Sequence, residues 1–375
     1  VHEKVGWRVN DALARVKYAI SPPEEVIFVP KEAPPTEHPS ATATEAVPSH
    51  QITPTSIRTP IESPIPLPNN VSLNGVQHEY QTWNNCGPAT LAMALSYWGW
   101  DEDQRPIAAF TKPNSRDKNV MPYELYDYVV EDTGLEVVYR TGGSIELLKR
   151  LLAAEFPVII EKGFEGRDFD GWMGHYVLVT GYDETERKFI VQDSYYGPDQ
   201  SIQYEDLESN WRAFNFTYLV TYPVKWQAKV ISILGPHFDV EYNNRSSAQV
   251  ASEEVVQLAE RDQFFAWFNL GSSLVQLQDY DGAALAYDKA FATYPDISDK
   301  ERPWRMMWYQ TGPYWAYFYT GRYQDVIELA TTTLNAMREP VLEESYYWRA
   351  RALEALGDYD NARMDLRNAL KYHPG

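Results

Sequence analysis

The stretch from residue 81 to residue 100, QTWNNCGPATLAMALSYWGW, holds the single cysteine of the chain, Cys86, immediately before a run that reads as a helix from Gly87 to Trp98. Pro88 sits in the first turn, where its missing N–H costs nothing. A thiol at a helix N-terminus meets the positive end of the helix dipole and amides without intrahelical partners, and both favour thiolate over thiol. A small buried side chain near a cap would read the same way, since that is where most lone cysteines end. Position alone leaves Cys86 as either filler or nucleophile.

Downstream, short runs rich in Val, Ile, Tyr and Phe read as strands: Glu136 to Arg140, Pro157 to Lys162, His175 to Tyr182, Lys188 to Asp193 and Phe216 to Tyr222. Asp183 to Arg187 is short enough to close a hairpin between the third and the fourth. A helix followed by an antiparallel sheet is an α+β arrangement. His175 lies in GWMGHYVLVTGYD (171–183), where a Gly-rich loop opens an apolar strand, so its ring can point from the strand end into a cleft. Taken alone, a histidine in such a place is more often a capping or core residue. Asp193 closes the partner strand in FIVQDSYYG (189–197), and the hairpin would bring it beside the imidazole to orient it.

With the CGPA run at 86–89, GHYVLVTGYD at 174–183 and QDSYYG at 192–197 in place, the segment from about 76 to 222 resembles a C39-like cysteine peptidase domain of the papain-like group. The resemblance implies a thiolate nucleophile at Cys86, a general acid/base at His175 and an orienting acid at Asp193. It also implies a glutamine upstream that helps to hold the oxyanion, for which Gln81 is the candidate. The family spaces that glutamine six positions before the cysteine, whereas Gln81 is five before Cys86. Asn84 and Asn85 are therefore alternative side-chain donors, and the Cys86 backbone N–H at the helix start is a further one. No metal and no organic cofactor is implied. The double-glycine leader substrates of transporter-fused relatives do not carry over, because this chain has no ATP-binding or membrane-spanning segment.

Flanking segments read differently. Val5, Val9, Leu13, Val16 and Ile20 mark one face of a helix over residues 1–20. Residues 21–75 read as a linker or stalk, because twelve of the chain's 25 prolines fall between Ser21 and Asn70 among Thr, Ser and Glu. Such a stalk suits the exposed part of an anchored bacterial surface protein, extracellular or at the cell surface, with any membrane contact through an anchor upstream of Val1. A plain interdomain linker, and a cytoplasmic protein, is the other reading. The peptidase-like domain is expected over 76–228, a connector over 229–258 and a repeat array over 259–375.

In the array, Trp267, Leu270, Gly271, Leu274, Tyr280, Ala283, Tyr287, Ala290 and Pro295 have the spacing of a tetratricopeptide repeat. Ala350, Leu353, Tyr359, Ala362, Leu366, Ala369 and Pro374 repeat it. Tyr317, Tyr323, Val326 and Ala330 fit a degenerate middle unit after an insertion from about Asp296 to Met306. Such arrays bind protein partners along a concave face. The aromatics Trp304, Trp308, Tyr309, Tyr314, Trp315 and Tyr317 read mainly as helix-packing core. Asp168 and Asp170 lack EF-hand spacing and read as part of a lid loop.

Composition bounds the function. With 33 Lys and Arg against 53 Asp and Glu, the net charge of -20 repels phosphate backbones, so no nucleic-acid partner is expected. One cysteine excludes an internal disulfide framework and a Cys-based zinc site. The expectation is an α+β papain-like cysteine peptidase that hydrolyses an amide bond in a peptide or protein substrate, with an all-α repeat array that recruits a partner or that substrate. The rival is a non-catalytic peptide-binding or scaffold subunit of a surface-exposed assembly.

Overall fold

The computed structural model describes Phe28, Pro30 and residues 67–373 apart from 115, 118, 166–170 and 338. The expected helix over 1–20, most of the 21–75 stalk, Asp168, Asp170 and Pro374 lie outside the described residues.

Among the described residues, seven strands form one sheet: β1 (Asn70–Ser72), β2 (Glu136–Arg140), β3 (Val158–Glu165), β4 (Trp172–Asp183), β5 (Lys188–Asp193), β6 (Gly197–Gln203) and β7 (Tyr218–Tyr222). Their order is β2-β7-β3-β4-β5-β6, and every pairing is antiparallel. β1 pairs with residues 181–183 of β4, taking over the edge where β3 ends at Val179. The central strand β4 is apolar without alternation because both its faces are covered. On one face lies α1 (Cys86–Ser96), whose Leu91, Met93 and Leu95 pack with Ile159, Tyr176, Leu178 and Leu219. Burying each such side chain contributes about 1.5–3 kcal/mol. On the other face, α4 (Ile145–Ala153) and α5 (Tyr204–Arg212) cover Val158, Ile160, Val177, Val179 and Val220. Between them in sequence lie α2 (Gln104–Thr111) and α3 (Pro122–Asp132), before β2.

Several details differ from the sequence reading, among them β7, which starts at Tyr218 and not at Phe216, whose φ of 51° is left-handed and not extended. β4 starts at Trp172, so His175 is its fourth residue and not its first, because Trp172, Met173 and Gly174 pair with the end of β3. Cys86 is the first residue of α1 instead of preceding it, which puts Pro88 at the third helical position, still in the first turn. The connector over 229–258 is largely helical: α6 (Gln227–Leu234) and α7 (Val240–Gln257) occupy it.

Three antiparallel helix pairs follow: α8 (Glu260–Gln276) with α9 (Tyr280–Thr293), α11 (Gly312–Tyr319) with α12 (Tyr323–Asn335), and α13 (Glu343–Ala355) with α14 (Tyr359–Tyr372). The short α10 (Met306–Tyr309) lies before the second pair. Gly271 lets Tyr287 lie against α8, where a Cβ would meet the ring at 2.7 Å. The array shares an apolar core with the sheet domain, in which Trp172, Ala213 and Phe214 pack with Phe264, Phe265, Phe268, Met306 and Met307. Trp304, Trp308 and Tyr309 also pack into buried clusters, as expected of core. Among the described residues, no helix is long and apolar enough to cross a membrane.

Candidate active site

The loop before α1 is tied at almost every residue. Gln81 N donates to the Ser194 carbonyl at 3.0 Å, and the Ser194 hydroxyl donates back to Gln81 Oε1 at 2.9 Å. Thr82 donates through its N and its hydroxyl to Gln104 Oε1. Lys112 Nζ donates to the carbonyl oxygens of Trp83 and Asn84 at 3.2 and 3.1 Å. Asn84 takes the left-handed conformation, φ 54°, which Asn tolerates better than most residues. These ties fix the direction from which the chain enters α1, and hence where the thiol points.

Cys86 is part-exposed, and the groups that act on its thiol are the His175 side chain and the backbone N–H groups of Tyr176 and Gly87. His175 Nε2 lies 3.0 Å from Asp193 Oδ1, which leaves Nδ1 as the ring nitrogen for Cys86. Asp193 Oδ1 also accepts from the N–H groups of Tyr195 at 2.8 Å and Tyr196 at 3.0 Å. Phe164 lies 5.0 Å from the imidazole and is itself flanked by Tyr195 and Tyr196, so an apolar cover surrounds the His175–Asp193 pair.

The electrostatics form one chain of charge. Burial pushes the Cys86 thiol up, but the hydrogen bond and charge of His175, with the two backbone N–H groups, reverse this and leave it below the ordinary thiol value. Burial pulls His175 down, and the charge and hydrogen bond of Asp193, then those of Cys86, push it up to about 9. Burial pushes Asp193 up, and the His175 charge and hydrogen bond with the two tyrosine N–H groups hold it at about 2. This arrangement shifts the balance from thiol toward thiolate beside an imidazolium.

Gln81 stands beside Asp193 through Ser194, with its side-chain carbonyl oxygen accepting from the Ser194 hydroxyl. The alternatives Asn84 and Asn85 use their amides to hold the loop: Asn84 Nδ2 donates to the Asp117 carbonyl at 3.2 Å and Asn85 Nδ2 to Thr82 Oγ1 at 2.8 Å.

Glu161 and Lys162 escaped the sequence reading, and Tyr309 reads there as helix-packing core and not as a neighbour of the site. Glu161 and Lys162 of β3 lie opposite Tyr176 and His175 in the sheet register. Burial, then the charge of Cys86, pushes the Glu161 carboxyl well above the carboxylate range. Burial pulls the Lys162 amine down against the opposing effect of Asp193. A charge pair inside VIIEKGF (158–164) is a signal that could have marked both. Tyr309 comes from the helical array: its ring lies against Gly174 and edge-on to Trp172 at 6.2 Å. Burial pushes its hydroxyl up, Arg305 pulls it back, and the charges of Cys86 and Glu161 add to the rise. Among the described residues, no group of three or more His, Cys, Asp or Glu is placed to hold a metal ion.

A cysteine opening a helix against an antiparallel sheet, with histidine and aspartate supplied by adjacent strands, defines the papain-like class of site. Residues 73–219 match the model of the Peptidase_C39 like family, and 264–297 and 344–375 match tetratricopeptide repeat models. The chain therefore carries a C39-like peptidase domain followed by tetratricopeptide repeats; the helix pair α11–α12 lies between the two repeat matches.

Solved structures similar to this chain include a candidate C39-like peptidase from Bacillus anthracis, at 21% identity and TM-score 0.35 over 40% of this chain and 96% of that one. The peptidase domain of Streptococcus ComA, a bi-functional ABC transporter involved in a quorum sensing pathway, matches at 15% identity and TM-score 0.32 over 40% of this chain and 99% of that one. Xylellain, a cysteine protease from Xylella fastidiosa, matches at 15% identity and TM-score 0.32 over 42% and 87%. No curated protein matches significantly.

Proposed function

We propose that this protein is a cysteine peptidase-like hydrolase that cleaves an amide bond in a peptide or protein substrate, with its repeats recruiting that substrate or a partner. The observation that carries the reading is the 3.0 Å contact of His175 Nε2 with Asp193 Oδ1, together with the action of the same imidazole on the Cys86 thiol. The Cys86 thiolate attacks the carbonyl carbon and the C=O electron pair moves to oxygen. That oxyanion rests on the Cys86 backbone N–H, free of an intrahelical partner in the first turn, and on the Gln81 NH2. Imidazolium His175 gives its proton to the leaving amine, which departs as the C–N bond breaks. His175, now neutral, takes a proton from water, whose oxygen attacks the thioester and restores the thiolate.

Mass-spectrometric screening of peptide libraries with the unsubstituted chain and with Cys86→Ala tests this. Products should appear only with the unsubstituted chain, and Gln81→Ala should lower kcat by about 10²–10³-fold. Identical product profiles for the two proteins would defeat the proposal. Iodoacetamide should label Cys86 quickly at about pH 6, where a free thiol of pKa ~8.5 is almost wholly protonated.

A further inference from the structure

Phe28 is the one buried hydrophobic residue, among the described residues, that precedes residue 67 in the chain, with 7% of its surface exposed. It sits in the helical array. Its ring meets Phe291 of α9 edge-on at 5.2 Å and lies 6.2 Å from Tyr317 of α11.

The pocket walls are fixed by the array itself. Tyr317 donates its hydroxyl to Asp288 Oδ1 at 2.9 Å, and Arg322 Nη1 donates to Asp288 Oδ2 at 2.7 Å. Arg322 Nε donates to Asp325 Oδ2 at 2.7 Å, and its guanidinium lies 4.2 Å over the Tyr317 ring. Elements α9, α11 and α12 are thus cross-linked around the site by groups that do not involve Phe28. An aromatic socket built wholly from the array and filled by a residue from a Pro-rich tether has the form of a receptor with its ligand attached.

We infer that the Phe291–Tyr317 pocket is an anchoring site for one aromatic side chain of an extended peptide, held here by the chain's own Phe28 as an intramolecular ligand. The sequence around it, EEVIFVPKE (24–32), defines the partner chemistry: an aromatic among β-branched residues, with Pro30 biasing Val29 to an extended backbone. Tethering gives Phe28 an effective concentration on the order of millimolar, so a peptide added in trans competes poorly unless the tether is disarmed. The inference is independent of the hydrolytic reading, since none of these groups belongs to the Cys86 site.

The test titrates a fluorescein-labelled synthetic peptide, EEVIFVPKE, into full-length Phe28→Ala protein and into the unsubstituted chain, reading fluorescence anisotropy. Saturable binding to Phe28→Ala, at least about tenfold tighter than to the unsubstituted chain and lost when the peptide's phenylalanine is replaced by alanine, is the expected result. Equal affinity for the two proteins, or no binding to a Phe28→Ala chain that keeps its thermal transition, overturns the inference. If Phe28→Ala loses that transition, a protease recognition sequence inserted between Ser40 and Ser49 replaces it as the test. After cleavage, release of the N-terminal fragment by excess peptide supports the anchoring site, and retention against any excess overturns it.

Discussion

Asp193 Oδ1 receives three donors at once, from His175 and from the N–H groups of Tyr195 and Tyr196, which is why the carboxylate stays ionised in an apolar setting. Its charge is in turn the largest influence raising His175. The imidazolium is held above its ordinary value of 6.5, so the stability of this pair is fully present below that value and fades as pH rises through about 9. On the acid side it is lost as pH falls through about 2, where Asp193 takes up its proton. Asp193→Asn removes the charge but keeps the shape, so the alkaline limb of the pH–kcat profile should move toward neutral pH while the fold persists. An unmoved alkaline limb would refute this account of the His175 shift. Glu161 makes a contrasting case: it is buried at 3% exposure, and burial, then the charge of Cys86, pushes its carboxyl well up, which favours the neutral form. Glu161→Gln should therefore leave iodoacetamide labelling of Cys86 within about twofold and leave Tm unchanged or raised near neutral pH. A labelling rate changed tenfold would mean that an ionised Glu161 acts on the thiol.

Strands β2 and β5 run over the residues that their apolar runs mark in the sequence, Glu136–Arg140 and Lys188–Asp193, whereas β4 begins earlier than its pattern suggests. The reason lies in Gly174, which looks like loop punctuation but is paired opposite Gly163 inside the sheet. A Cβ at Gly174 would stand 2.7 Å from Phe214 Cζ and 2.9 Å from Tyr309 Cδ1, so the glycine makes room for two rings that arrive from elsewhere. Gly174→Ala should cost about 1–3 kcal/mol by overpacking and, because His175 follows directly, should lower turnover more than a surface alanine would. Calorimetry of the variant checks the first part; an unchanged Tm would show that the rings can step aside. Polar edge strand β6, which contains Pro198, gave no apolar alternation to read, and the short helices α2 to α5 carry too few turns for periodicity to stand out. Cys86, His175 and Asp193 were legible because each lies near an element end within a distinctive run. Lys162 needed the β3–β4 register, and Tyr309 needed the docking of two domains, neither of which local pattern contains.

At the scale of the molecule, the repeats and the peptidase domain are joined twice. One joint is the shared apolar core, where Trp172 stacks on Phe214 at 5.8 Å and meets Phe265 at 5.9 Å, while Arg305 Nη1 donates to the Trp172 carbonyl at 3.0 Å. The other is charged: Arg116 pairs with Glu339 at 3.8 Å, His373 lies 3.7 Å from Glu124, and Glu343 and Glu344 of α13 face Asp117 and Glu124. Burial, and after it the neighbouring carboxylates, push Glu124 up to about 8 even though the Met121 N–H opposes the rise. Glu343 and Glu344 rise for the same reasons. Carboxyls that keep their protons longer in the folded state give stability that is fully present below the ordinary value of 4.5 and is lost as pH rises through about 8. The charged joint should therefore loosen in alkali, while the apolar joint, which has no such groups, holds. Glu344→Gln abolishes one of these titrations without touching the Met121 cap that Glu124 provides. Calorimetry should show a higher Tm for Glu344→Gln than for the unsubstituted chain at about pH 9, and nearly equal values at about pH 5, where Glu344 is protonated in the folded chain. A constant offset between the two proteins across that range would mean that the carboxyls at this joint keep their ordinary pKa values.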